Sequence, residues 1–89
     1  MKNIAFIVNP IAGPKTKNRI TKLIRDILDS QQFSPTVVVT EYAGHATQLA
    51  QQFAMQEYYA VIAVGGDGTV NEVASGLIGT STALGIVPN

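Results

Sequence analysis

Gly65-Gly66-Asp67-Gly68-Thr69 stands directly behind five apolar residues, Ala60–Val64, and ahead of Val70-Asn71-Glu72. A simple tight turn needs one glycine, whereas this stretch places three within four residues around a single carboxylate. Glycine lets a ligand approach the backbone without meeting a side chain. A helix that starts behind such a loop adds unpaired N–H donors and a positive dipole end, which together bind anions. Asp67 fits two roles. It suits an N-terminal cap, and it also suits a site that handles phosphate through a magnesium ion, directly or through water, because a bare carboxylate would repel phosphate.

The flanking residues are read in the same way. Glu72, in the first turn of the third helix, is favoured there by the dipole, and the Asn71 amide is able to hold a neighbouring loop or a ligand oxygen. Thr40 closes the second strand, where a β-branched residue is ordinary, and Asn9 turns the chain before Pro10. His45 is the single histidine, so no zinc site is available, and a structural role near a helix start is the expectation for it. The Rossmann spacing fails, because its third glycine falls on Asn71. A P-loop also fails, since "GPKT" at Gly13–Thr16 has no glycine five residues earlier.

These residues need a scaffold, and the rest of the chain predicts one. Ile4–Val8 reads as a buried strand ended by Asn9-Pro10, and "NPIAGP" as a loop. From Lys15 the period changes. Ile20, Leu23, Ile24, Ile27 and Leu28 share a helical face, with Lys15, Arg19, Lys22 and Arg25 opposite. Thr36–Thr40 is a β-branched strand. "YAGHA" leads into a helix that buries Ala46, Leu49, Ala50 and Phe53. After the strand Ala60–Val64, a third helix starts near Thr69 and buries Val70, Val73, Ala74 and Leu77, with Gly79 as its stop. Ala83–Val87 is the last strand, ended by Pro88.

The order β-α-β-α-β-α-β, with strands apolar on both faces, predicts an α/β fold: a doubly wound parallel sheet covered on both sides. Ligands of such sheets sit beyond the carboxyl ends of the strands, where strand order reverses. A spatial order of 2-1-3-4 brings the loops Asn9–Pro14 and Gly65–Gly68 to one crevice.

Composition narrows the classes. The chain has 89 residues, 46% of them hydrophobic, no cysteine and a formal net charge of zero. It is long enough for a modest core. Neutrality predicts no nucleic-acid partner. The lack of cysteine excludes disulfides and fits a reducing, cytoplasmic setting. No apolar run approaches a membrane span, and the N-terminus lacks a signal-peptide pattern. All six Lys and Arg lie between Lys2 and Arg25, and all six Asp and Glu from Asp26 onward. The basic first helix is therefore either a solvated face or a peripheral contact with anionic lipid at the inner membrane face.

"NPIAG" (Asn9–Gly13), "TEYAGHATQLA" (Thr40–Ala50) and "VGGDGTVNEVASGL" (Val64–Leu77) together closely resemble the start of the diacylglycerol kinase catalytic domain, in its bacterial lipid kinase branch. "ALGIVPN" fits the strand that follows. NAD kinases share the Gly-Gly-Asp-Gly-Thr motif, and it is the combination of motifs that is specific. The resemblance implies ATP-dependent phosphorylation of a lipid hydroxyl, with ATP and Mg2+ as cofactors. It implies that Asn9, Pro10 and Gly13 approach the nucleotide and that Thr40 contacts ATP. It further implies that Gly65, Gly66, Asp67, Gly68, Thr69, Val70, Asn71 and Glu72 line the triphosphate, with Asp67 beside the transferred phosphate and its magnesium. Ala12 stands where the family often has Ser, which removes a hydroxyl contact. The family continues into a second, mostly β domain that supplies the catalytic base, further metal ligands and the lipid site. Residues 1–89 are therefore expected to be the N-terminal nucleotide-binding portion of a two-domain lipid kinase, inactive alone and prone to self-association through an exposed sheet edge. The alternatives are a fragment of an NAD or sphingoid-base kinase, or a non-catalytic nucleotide-binding or oligomerising module.

Overall fold

The computed structural model of the chain describes residues 1–10 and 15–88. Seven elements alternate: β1 (Lys2–Val8), α1 (Thr16–Ile27), β2 (Phe33–Val39), α2 (His45–Met55), β3 (Ala60–Gly65), α3 (Asp67–Leu77) and β4 (Ala83–Pro88). The four strands form one parallel sheet in the order β2-β1-β3-β4. This is the doubly wound order expected from the loops. Pro35 and Pro88 fall in the two edge strands, where a missing N–H leaves no central ladder bond unmade.

The chain steps from β1 to β2 in one direction and from β2 through β3 to β4 in the other. Right-handed crossovers running in opposite directions place their helices on opposite faces of the sheet. The core is split accordingly. On one face Ala5, Ile7, Val61 and Ala63 pack with Ala46, Ala50 and Phe53 of α2 and Val73 and Leu77 of α3. On the other face Ile4, Phe6, Val8, Ala60 and Val64 pack with Ile20 and Ile24 of α1. Each fully buried aliphatic side chain, such as Ile7, Val61 or Val73, contributes about 1.5–3 kcal/mol.

Three expectations are corrected. Of the apolar stripe on α1, Ile20 and Ile24 are buried, but Leu23 is 38% and Ile27 72% exposed. One helix about 10 Å wide cannot cover four strands spaced about 4.8 Å apart, so the flanks of its stripe face outward. The sheet is also not covered throughout. α3 packs mainly over β3, which leaves Leu84 and Ile86 of β4 exposed on the same face. Finally, α3 begins at Asp67 rather than near Thr69. Gly66 becomes its N-cap residue, so Asp67 is not the cap.

The close approach of α2 and α3 depends on Gly76. A Cβ at Gly76 would lie 2.5 Å from the Thr47 carbonyl oxygen and 2.7 Å from the Ala50 Cβ. The Thr47 hydroxyl donates to the Glu72 carbonyl at 2.8 Å across the same seam. Gly76→Ala sets helix propensity, a gain of about 1 kcal/mol, against overpacking that costs about 1–3 kcal/mol. The nearest neighbour is backbone, so relief requires moving α2 and the clash dominates. Gly76→Ala is expected to lower the thermal midpoint by several degrees in circular dichroism; an unchanged or raised midpoint would show that the seam is loose.

Candidate functional site

The parallel register builds the site. Val8 pairs with Val39 on one side and with Val64 on the other. The next residues, Asn9, Thr40 and Gly65, therefore stand in one row at the carboxyl edge. Backbone bonds hold the row: Asn9 N–H donates to the Val64 carbonyl (3.1 Å) and Thr40 N–H to the Val8 carbonyl (2.9 Å). Side chains alternate along strands, so Asn9 follows Ile7 and Thr40 follows Val38 onto the face that carries α2 and α3.

Asn9 then meets α3. Its Nδ2 donates to the buried Thr69 hydroxyl at 3.1 Å, across 60 residues of sequence. Gly65 makes this approach feasible. A Cβ there would lie 2.7 Å from Thr69 Oγ1, 3.1 Å from its Cβ and 3.4 Å from the Asn9 Cβ. Gly66 and Gly68 differ. A Cβ at either would meet nothing within 4 Å, and the backbone of Gly66 (φ −91°, ψ −166°) is one any residue adopts. Packing gives no reason for glycine at these two exposed positions, although glycine also suits the N-cap at Gly66, and the bare surface they leave is open to a ligand.

The helix end supplies donors to that surface. The first bond of α3 runs from Val70 N–H to the Gly66 carbonyl at 3.1 Å. The amides of Gly66, Asp67, Gly68 and Thr69 precede it and have no helical carbonyl to meet. Asp67 is exposed, and its carboxylate makes no hydrogen bond or ion pair among the described residues. Asn71, one turn along on the same side of α3, is exposed too. Val70 is among the residues expected to line the triphosphate. Its side chain packs against the core shared by α2 and α3, and the Gly66 carbonyl occupies its amide.

A cavity of about 420 Å³ lies beside this helix start, with Asn9, Pro10, Thr40, Tyr42, Thr69 and Glu72 in its wall. Glu72 has a structural task there. Its Oε1 accepts from Gly44 N–H at 3.1 Å, which ties the start of α3 to the start of α2. Two helix N-termini therefore border one cavity. His45 behaves as a structural residue, since Glu41 N–H donates to its Nδ1 at 3.0 Å. Gly13 and the neighbouring Ala12 lie outside the described residues. Sequence reasoning quoted the loop from Thr40 to Gly44 but did not single out Tyr42. An aromatic residue between Thr40 and Gly44 was the available signal. Among the described residues, no three histidine or carboxylate groups come together as a metal cage, and no helix is long and apolar enough to cross a membrane.

A doubly wound sheet with a glycine-floored, amide-lined crevice at its switch point has the arrangement in which open α/β folds hold their ligands. Comparison with known proteins narrows this. The family model for the diacylglycerol kinase catalytic domain matches residues 3–89, and the chain belongs to that family. It is 32% identical to a diacylglycerol kinase of Bacillus subtilis, covering 99% of this chain and 30% of that protein. It is 30% identical to mouse ceramide kinase, over 99% of this chain and 17% of that one. A crystal structure of a diacylglycerol kinase from Bacillus anthracis superposes with a TM-score of 0.79 at 32% identity, covering 99% of this chain and 30% of the other. The chain thus spans under a third of the length of these relatives.

The two kinds of glycine should separate experimentally. Gly65→Ala is expected to cost about 1–3 kcal/mol in urea unfolding, because its methyl meets the buried Thr69. Gly68→Ala, in open space on the first turn of a helix, is expected to be neutral or to stabilise by up to about 1 kcal/mol. Equal losses at both positions would show that the glycines serve packing alone.

Proposed function

We propose that this chain supplies the ATP- and magnesium-binding half of a lipid kinase that phosphorylates a lipid hydroxyl such as that of diacylglycerol. The observation that carries this reading is the pair Gly66 and Gly68, which packing does not require, in front of free helix amides and beside a cavity walled by Asn9 and Thr40. Kinships with both diacylglycerol and ceramide kinases favour a lipid acceptor over a nicotinamide dinucleotide.

Phosphoryl transfer is chiefly positioning and charge stabilisation. The amides of Gly66–Thr69 take the phosphate oxygens, and the Asn9 and Thr40 strand ends flank them. The donor set suits magnesium better than a caged cation. Magnesium keeps several waters and takes one or two carboxylates together with substrate phosphates, and Asp67 is a carboxylate at the mouth of the cradle with no partner among the described residues. When bound, the ion would neutralise charge on the phosphates. Glu72, held by Gly44, keeps the rim in shape. This reading places the lipid site and the base for the acceptor hydroxyl in the part of the relatives' length that this chain does not match, and expects these residues by themselves to bind nucleotide without turnover.

Isothermal titration of this chain with ATP, with and without magnesium, tests the reading. Asp67→Asn is expected to weaken magnesium-ATP binding about tenfold or more and to leave metal-free ATP unchanged or tighter, since a repelling charge is gone. Gly66→Val should weaken both ligands far more than the small drop in melting point expected from a poorer N-cap residue. A folded chain that binds neither ligand, or lipid phosphorylation by the chain alone, would sink the corresponding part of the proposal.

A further inference from the structure

We propose, on the basis of the nucleotide reading, that the Tyr42 ring is the stacking platform for the nucleobase. Tyr42 is 54% exposed, yet it is held at both ends. Its ring lies on the His45 imidazole with centroids 4.4 Å apart and planes 14° from parallel. Its hydroxyl donates to Gln48 Oε1 at 2.6 Å. His45 is fixed in turn by the Glu41 N–H donated to its Nδ1 at 3.0 Å. Gly44, between them, is anchored to Glu72. An exposed aromatic side chain ordinarily keeps its rotamer freedom, and here that freedom is lost without the gain from burial. Paying this ordering cost in advance favours a ligand that uses the ring.

The position of the ring says which ligand. Tyr42 stands in the wall of the same cavity as Asn9, Thr40, Thr69 and Glu72. The cavity therefore has an aromatic residue, Tyr42, in its wall and, at Thr69, a start of α3 that suits phosphate. A molecule with a flat π-face at one end and phosphates at the other matches both features, and a nucleotide is such a molecule. Base–aromatic stacking is tolerant of base identity because every base has a π-face. The platform should therefore strengthen ATP and GTP alike.

Titration of the chain with magnesium-ATP and with magnesium-tripolyphosphate, which carries the phosphates without a base, tests this. Tyr42→Ala is expected to weaken ATP on the order of tenfold and to leave tripolyphosphate unchanged. Tyr42→Phe keeps the ring and loses the bond to Gln48, and is expected to retain most of the ATP affinity. Saturation transfer from the adenine H2 and H8 protons to the Tyr42 ring protons is expected in the wild-type complex. Equal losses for ATP and tripolyphosphate, no loss for either, or a Tyr42→Phe loss matching that of Tyr42→Ala would overturn the assignment. Wild-type protein that binds tripolyphosphate as tightly as ATP would overturn it while leaving the phosphate site standing. Protein that binds neither would remove both.

Discussion

The site depends on the position of β1 between β2 and β3 and on the register of the two ladders. Because Val8 is opposite both Val39 and Val64, three strands end in a row and turn Asn9 and Thr40 to the same face. A one-residue slip in either ladder would reverse that face, since side chains alternate with period two. Register is well specified here because both faces are buried. Ile4, Phe6 and Val8 pack under α1, while Ala5 and Ile7 pack under α2 and α3. The hydrophobic effect that selects the fold thereby also aims the polar strand ends.

From that row outward, each polar contact serves to hold a loop. Asn9 reaches Thr69, Glu72 reaches Gly44 and Thr47 reaches the Glu72 carbonyl. These three bonds join β1, α3 and the start of α2 around one cavity. The glycines divide by the same logic. Gly65 and Gly76 are small because protein atoms crowd them, and Gly66 and Gly68 are small where no protein atom comes near. That difference separates glycines that packing requires from glycines that it does not, and it is a property of the surroundings rather than of the residue type.

Much of the fold was legible beforehand. Seven elements with short connections and apolar strands leave few topologies, and the loops at Asn9 and Gly65 pointed to the order that places them together. The start of α3 was misplaced by two residues because Gly66-Asp67-Gly68 reads as loop by composition, while the helix begins as soon as the chain leaves the sheet. The exposure of Ile27 and Leu84 was not legible either. Periodicity reports which residues share a face of an element, but not how far the neighbouring layer extends over it.

The sequence by itself determined the alternation of strands and helices, the glycine-rich loop ahead of α3 and the kinship with lipid kinases, because these lie in local periodicity and in motifs of contiguous residues. Tertiary structure decided which glycines are uncrowded, that Glu72 braces Gly44, that Val70 packs half-buried against the core and that Tyr42 is clamped beside the cavity. Each of these depends on groups brought together from distant parts of the chain, such as Asn9 and Thr69, 60 residues apart and 3.1 Å from contact to contact. Such distances are set by the packing of helices on a sheet, and residue order along one strand or helix does not contain them.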